Sequence, residues 1–339
     1  MEDYTCRADI STEEALSRLN SVCASPFQIV TDAKGHLQGT LTDGDVRRGI
    51  LSGRPISAPV SEFMSRSPDF VCVNDFNSGV FRETSNRFVP IVDTHSRVIA
   101  VALRDVSPKI SSDVMIMAGG FGKRLGDITK DLPKALVELG GRPLIDRLLE
   151  QFEQIGVERV FVSTYHLSEK VEEFLATRKN RCEVKVLVED EPLGTAGSVR
   201  LLPDDITDFF YVVNCDVVSA VPFQALEQFN KTSRLDGVVG VSEYQFQVPF
   251  GVIEYDENLH FQSVSEKPSI CHFVAAGVYL LPKKIIDFLP SKGVIDMPEL
   301  LIIARDAGCR LGLFPIHEHW QDVGTPRELI QASSFLEGE

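Results

Sequence analysis

Val114-Met-Ile-Met-Ala-Gly-Gly-Phe-Gly-Lys-Arg-Leu125 is the stretch from which the fold is read. Its first four residues, Val114 to Met117, are a continuous apolar run, as expected of a strand buried on both faces of a parallel sheet. The run then breaks into a glycine-rich loop, Ala118-Gly119-Gly120-Phe121-Gly122, followed by Lys123 and Arg124 and, after Leu132-Pro133, by Lys134. Glycines let a backbone approach a phosphate chain closely and aim several N–H groups at it. Arg124 and Lys134 supply positive charge for a triphosphate and a departing pyrophosphate. A dinucleotide loop lacks this pair of cations, and a Walker loop needs Ser or Thr where Arg124 stands.

Downstream of this loop, strand and helix alternate. Leu144 to Phe152 has helical spacing and Gly156 ends it. Arg159–Ser163, Val184–Val188 and Tyr211–Asn214 read as strands, and Glu169 to Thr177 as a helix. The expectation is an α/β domain over 114–339, a Rossmann-like mixed and mostly parallel sheet of the GT-A-like kind. Ligands of such sheets bind beyond the carboxyl ends of the strands, where the informative residues fall.

The form G-G-x-G-x-R-L … P-K resembles the sugar nucleotidyltransferase family, of the GDP-mannose pyrophosphorylase-like or glucosamine-1-phosphate guanylyltransferase-like kind. The resemblance runs from residue 114 to about 330, and Glu189-Asp-Glu-Pro-Leu-Gly-Thr-Ala-Gly197 extends it. It implies that Ala118, Gly119, Gly120 and Gly122 hold the nucleotide phosphates, and that the base and ribose lie on Gly194, Thr195 and Ala196. It also implies that Glu189 reads the base edge. A carboxylate only accepts hydrogen bonds, and guanine presents two adjacent N–H donors, so the expected triphosphate is GTP, with UTP, dTTP or CTP as alternatives. Asp216, in Asn214-Cys215-Asp216, and Asp322, in Trp320-Gln-Asp-Val-Gly-Thr325, are the implied Mg²⁺ ligands, since a hard cation takes one or two carboxylates plus substrate oxygens. Lys267, in Glu266-Lys267-Pro268, is the implied partner of the sugar 1-phosphate, and Glu266, Gly251 and Gly277 the implied sugar contacts. Two departures stand out: Cys215 where the family often has Gly, and Ala275-Ala276 where it often has a polar residue, which hints at a less usual sugar.

The implied chemistry is an in-line displacement. A sugar 1-phosphate oxygen attacks the α-phosphorus, giving an NDP-sugar and pyrophosphate, with Arg124, Lys134 and Lys267 as the catalytic cations. A regulatory subunit that binds nucleotides without turnover is the alternative from another class.

The first 107 residues read differently. Phe27-Gln-Ile-Val-Thr-Asp32, a turn, and Leu37 to Asp45 form one unit. Phe88-Val-Pro-Ile-Val-Asp93, a turn, and Val98 to Asp105 repeat it about 60 residues later. This α+β pattern resembles a pair of CBS motifs, whose cleft binds adenine nucleotides, AMP or ATP. The resemblance implies Thr42 and Asp45 in the first half-site and Asp105 in the second, where Ala102 replaces the hydroxyl. It also implies a homo-oligomer formed through this module. Residues 108–113, polar and containing Pro108, read as the linker.

Composition bounds the partners. A net charge of −15 disfavours nucleic acid and anionic membranes, so cations for phosphate must be concentrated locally. No apolar run reaches the ~18–20 residues of a membrane span. The acidic start, Met1-Glu-Asp-Tyr4, and seven scattered cysteines without a C-x-x-C pair suit a cytoplasmic enzyme with reduced thiols.

Overall fold

The computed structural model describes residues 4–21, 27–75, 88–103 and 110–336, and divides into two units, Met1–Pro108 and Lys109–Glu339. Asp105, expected at the second adenine half-site, lies outside the described residues.

In the first unit the elements run β1 (Thr5–Arg7), α1 (Thr12–Ser21), β2 (Phe27–Thr31), β3 (Leu37–Thr42), α2 (Asp43–Leu51), β4 (Val71–Cys72), β5 (Phe88–Val92) and β6 (Val98–Leu103). They form two three-stranded sheets of one topology, β1-β2-β3 and β4-β5-β6, each a parallel pair followed by an antiparallel hairpin. The duplication reaches single atoms. Asp32 Oδ1 accepts from the amides of Lys34 and His36, and Asp93 Oδ1 accepts from those of His95 and Arg97. An Asp that bonds the backbone two and four residues on fixes the turn from one side chain. The two hairpin tips pair with each other, Leu37 N to Ser96 O and Val98 N to Gly35 O, both at 3.0 Å. Phe27 and Phe88, the first residues of β2 and β5, stack with ring centroids 3.8 Å apart.

The second unit continues with β7 (Asp113–Met117), β8 (Glu138–Leu139), β9 (Arg142–Pro143), α3 (Leu144–Gln154), β10 (Arg159–Thr164), α4 (Ser168–Thr177), β11 (Glu183–Val188), α5 (Gly194–Gly197), β12 (Phe209–Asn214), β13 (Val217–Ser219) and α6 (Phe223–Ser233). It ends with β14 (Gly237–Gln247), β15 (Val252–Tyr255), β16 (Phe261–Ser265), β17 (Ser269–Pro282), α7 (Met297–Asp306), β18 (Leu311–Ile316), β19 (Trp320–Asp322) and α8 (Pro326–Leu336). Of the stretch read as linker, Ile110 and Ser112 are buried, and Asp113 opens β7, where Arg159 holds its carboxylate. Burying an apolar side chain and pairing a carboxylate bind 110–113 to the second unit.

A seven-stranded sheet, ordered β11-β10-β7-β12-β17-β14-β18, forms the middle layer. The first four strands are parallel, and β17 runs antiparallel to both β12 and β14. Alternation along β7 sends Val114 and Ile116 into one core with α3, α4 and α6, and Met115 into another with α7. That is why the Val114–Met117 run is apolar throughout: both faces are covered. A smaller core, Leu125, Val137, Leu139, Leu144, Val323 and Ala332, anchors the chain next to Arg124 and Asp322.

Candidate active site

The parallel strands β7, β10, β11 and β12 deliver their carboxyl ends to one edge of the sheet, and β7, β11 and β12 each lead into a segment singled out in the sequence. β7 feeds the glycine loop. Ala118 N donates to Ser163 O of β10 at 2.8 Å, fixing where the loop leaves the sheet. The buried Thr129 ties the loop off, its hydroxyl donating to Gly122 O at 2.9 Å. Gly119 and Gly120 lie between these anchors, with Glu189 packed under Gly119.

β12 ends at Asn214 and places Cys215 and Asp216. Burial pushes the Cys215 thiol well up, and its amide donates to Met117 O at 3.1 Å. Asp216 precedes β13, which pairs antiparallel with β19 so that Val217 stands opposite Asp322. Val323 N donates to Asp216 O at 2.9 Å and closes the same ladder. Two acids distant in sequence are thereby held side by side by backbone hydrogen bonds.

Two cations join them. Lys134 Nζ donates to Asp216 Oδ2, and Arg124 stands 3.6 Å from Asp322. The Arg124 guanidinium lies on the Gly324 backbone, where a β-carbon would sit 2.7 Å from its central carbon. Burial and the neighbouring Asp216 charge raise the Asp322 carboxyl above the ordinary carboxylate range, against the pull of Lys134 and Arg124. Burial is the larger cause of that rise and the second acid adds to it. Two adjacent carboxylates with open approach match the oxygen donors of a hard divalent cation, so the residues present fit magnesium.

Glu189 is buried, and its carboxylate is oriented from two sides. Ser163 Oγ donates to Oε1, and Leu193 N donates to Oε2 at 3.0 Å. Each oxygen keeps a second lone pair, so the group both shapes the loop and retains acceptor capacity. Gly194, Thr195 and Ala196 form α5, with Thr195 exposed and Ala196 fully buried.

Glu266, Lys267 and Gly251 form a second group on the arm built from β14–β17. Gly251 packs against Glu266 Oε2. Lys267 adopts a left-handed backbone, φ 47, and its carbonyl accepts from Gln247 Nε2 at 3.3 Å. Gly277 packs on the Asn214 side-chain amide, two residues before Asp216.

Five residues at the site have no role assigned from sequence. Ser163 positions Glu189, and the Trp320 indole donates to Ala276 O at 2.8 Å, tying β19 to β17. Phe121, Tyr165 and His166 form an aromatic group beside the glycine loop, with Lys123 over the Phe121 ring. Tyr165 and His166, which follow β10, carry no local pattern in the sequence. Phe121 lies inside the glycine loop, unmarked by periodicity.

In the first unit, Thr42 and Asp45 form a reciprocal cap on α2. Asp45 N donates to Thr42 Oγ1, and Thr42 N donates to Asp45 Oδ2. No described helix is long and apolar enough to cross a membrane.

Residues 113–339 match the nucleotidyl transferase family model. A probable mannose-1-phosphate guanylyltransferase of rice, Oryza sativa subsp. japonica, is 32% identical over 226 residues, which cover 64% of this chain and 62% of the rice protein. The matched region thus spans less than two thirds of that relative's length. The crystal structure of HddC from Yersinia pseudotuberculosis is 27% identical with a TM-score of 0.52, covering 66% of this chain and 99% of HddC. A structure of HddC complexed with GMP-PN, at 26% identity and the same TM-score, likewise covers 66% of this chain and 99% of its own.

Proposed function

The chain belongs to the nucleotidyl transferase family, and from that premise we propose that it transfers a nucleoside monophosphate, GMP first among the candidates, from a triphosphate to a sugar 1-phosphate. The observation that carries this reading is the cluster Arg124, Lys134, Asp216 and Asp322 at the carboxyl edge of the parallel strands. Guanine rests on the guanylyltransferase name of the rice relative, on the GMP-PN complex of HddC, and on the acceptor capacity of Glu189.

A sugar 1-phosphate oxygen attacks the α-phosphorus. A new O–P bond forms as the α–β bridging bond breaks, and pyrophosphate leaves with the displaced electron pair. The attacking phosphate is already ionised at neutral pH, so no protein nucleophile or base is needed. Catalysis is then positioning plus charge stabilisation. Ala118, Gly119, Gly120 and Gly122 wrap the triphosphate. Arg124 and Lys134 neutralise the charge that builds on the departing pyrophosphate. Lys267 holds the sugar phosphate in line, while Glu266, Gly251 and Gly277 face the sugar. Gly194, Thr195 and Ala196 carry the base and ribose. Asp216 and Asp322 are the residues that would hold Mg²⁺, which when bound offsets repulsion between the two anionic substrates.

For the first unit the reading is a CBS pair that binds AMP or ATP near Thr42 and Asp45 and joins copies of the chain. It is supported by the duplicated sheets, their joined hairpin tips and the Phe27–Phe88 stack. Calorimetry with AMP and ATP on the full chain, and light scattering for its mass, test both parts.

A pyrophosphate-release panel of GTP, UTP, dTTP, CTP and ATP against a set of sugar 1-phosphates tests the activity. Release with GTP that depends on one sugar 1-phosphate is the expected result. A chain that releases none with any pair is not a transferase of this kind.

A further inference from the structure

The loop expected to carry the nucleotide is shaped by a segment about one hundred residues away. Leu193 to Gly197 and Ile295 to Met297 exchange six hydrogen bonds. Ile295 N donates to Leu193 O at 3.0 Å, and the amides of Ala196 and Gly197 both donate to Ile295 O at 3.1 Å. Thr195 N donates to Asp296 Oδ1 at 2.9 Å, and the Thr195 hydroxyl donates to the same oxygen at 3.2 Å. That hydroxyl in turn accepts from Met297 N at 2.8 Å.

Each helix is therefore capped by the other's side chain. Asp296 precedes α7 and makes no cap bond to it. Its oxygen instead takes the Thr195 amide, and Thr195 supplies the oxygen that α7 needs at Met297. Gly194 is the residue that permits this approach. It sits at φ +83, and a β-carbon there would lie 2.5 Å from Ile295 O.

The consequence bears on the substrate. With their N–H groups turned to Ile295 and Asp296, Thr195, Ala196 and Gly197 cannot offer those donors to a nucleotide. What the loop offers is its shape. Asp296 holds that shape at the residue where the chain is exposed, whereas Ile295 is buried and carried by the core. We propose that Asp296 is a positioning residue for the nucleoside triphosphate, acting through Thr195 and leaving the sugar 1-phosphate unaffected. This rests on the transferase reading above.

The test uses the full chain and the triphosphate that the wild type turns over fastest. Asp296→Ala is expected to raise KM for the triphosphate about tenfold, because a charge-assisted hydrogen bond that fixes the loop is lost. KM for the sugar 1-phosphate should stay within twofold. Asp296→Asn keeps an acceptor oxygen and should recover most of the loss. A general loss of structure would move both KM values together and lower the melting temperature. Equal shifts in both, or an Asp296→Ala chain that binds triphosphate as the wild type does, would overturn the proposal alone. A wild type that binds no nucleoside triphosphate in equilibrium titration would overturn the transferase reading with it.

Discussion

The two regions expected to meet nucleotides handle charge in opposite ways. At the start of α2 the charges satisfy one another. The Thr42 hydroxyl donates to Asp45 Oδ2 at 2.6 Å, Arg48 pairs with Asp45 Oδ1 at 2.6 Å, and the buried Arg47 takes both oxygens of Asp43. At the carboxyl edge of the large sheet they do so only in part: Lys134 donates to Asp216, but Asp322 has no such bond to a cation among the described residues. Asp216 and Asp322 are held together by the β13–β19 ladder, and Arg124 stands 3.6 Å from Asp322, beyond hydrogen-bond range. A group already bonded within its helix cap must give up those bonds to take a ligand. A group left with like-charged neighbours gains when a ligand of the missing charge arrives. By that measure the cluster of the second unit is the one poised to gain from a cation, and the cap of the first unit is at rest.

The largest effect should come from the poised cluster. Lys134→Ala is expected to lower kcat/KM by ~10³-fold, about 4 kcal/mol of transition-state stabilisation, with little change in melting temperature. Arg124→Ala should follow at ~10²-fold. A loss below tenfold for both, read by pyrophosphate release, would erase the distinction between the two regions.

A different set of charges in the same unit sharpens it. Arg178 joins α3 to α4, pairing with Asp146 and Glu153, and all three side chains are largely buried. Burial alone pushes those two carboxyls up, but their arginine partners hold both below the ordinary range. Arg178→Ala leaves the buried Glu153 without its guanidinium and Asp146 with Arg142 alone, so stability should fall by about 3 kcal/mol in denaturant melts while both KM values hold. Because the folded values are depressed, this stabilisation is complete above the unfolded carboxylate range, about pH 4. It is lost as pH falls through the folded values, so the gap between wild type and variant should narrow in acid.

Thr42→Ala removes the cap on α2 and should cost about 1 kcal/mol of stability, with basal turnover unchanged. A drop in basal turnover would show that the resting region takes part in the chemistry. The smallest effect expected is a gain. Asp322→Asn relieves the crowding of two carboxylates and should raise Tm by about 2 °C while impairing turnover, as residues arranged for a ligand do when the ligand is absent.

How much of this was legible depends on the range of the interaction. The Val114–Met117 strand, the glycine loop and helix α3 follow from spacing within a dozen residues, and the structure has them at the expected places. The repeat was legible because Asp32 and Asp93 fix their turns by bonds to the next few amides. What joins distant segments was not. The Thr195–Asp296 exchange spans 101 residues and leaves no periodic mark. The packing of residue 110 is of the same kind: Ile110 sits in a polar stretch, and only the core it enters shows where it belongs. Lys267 is singled out only through its neighbours in sequence. The arm that carries it, with long strands β14 and β17, has an alternation too exposed on both faces to announce itself.

The central claim is that phosphates are gripped at the Arg124, Lys134, Asp216 and Asp322 cluster. A crystal structure of the full chain with a non-hydrolysable GTP analogue, Mg²⁺ and a sugar 1-phosphate tests it directly. The account predicts metal density between Asp216 and Asp322, with the triphosphate against Arg124 and Lys134. A triphosphate seated instead beside Thr42 and Asp45, with the cluster empty, would contradict it.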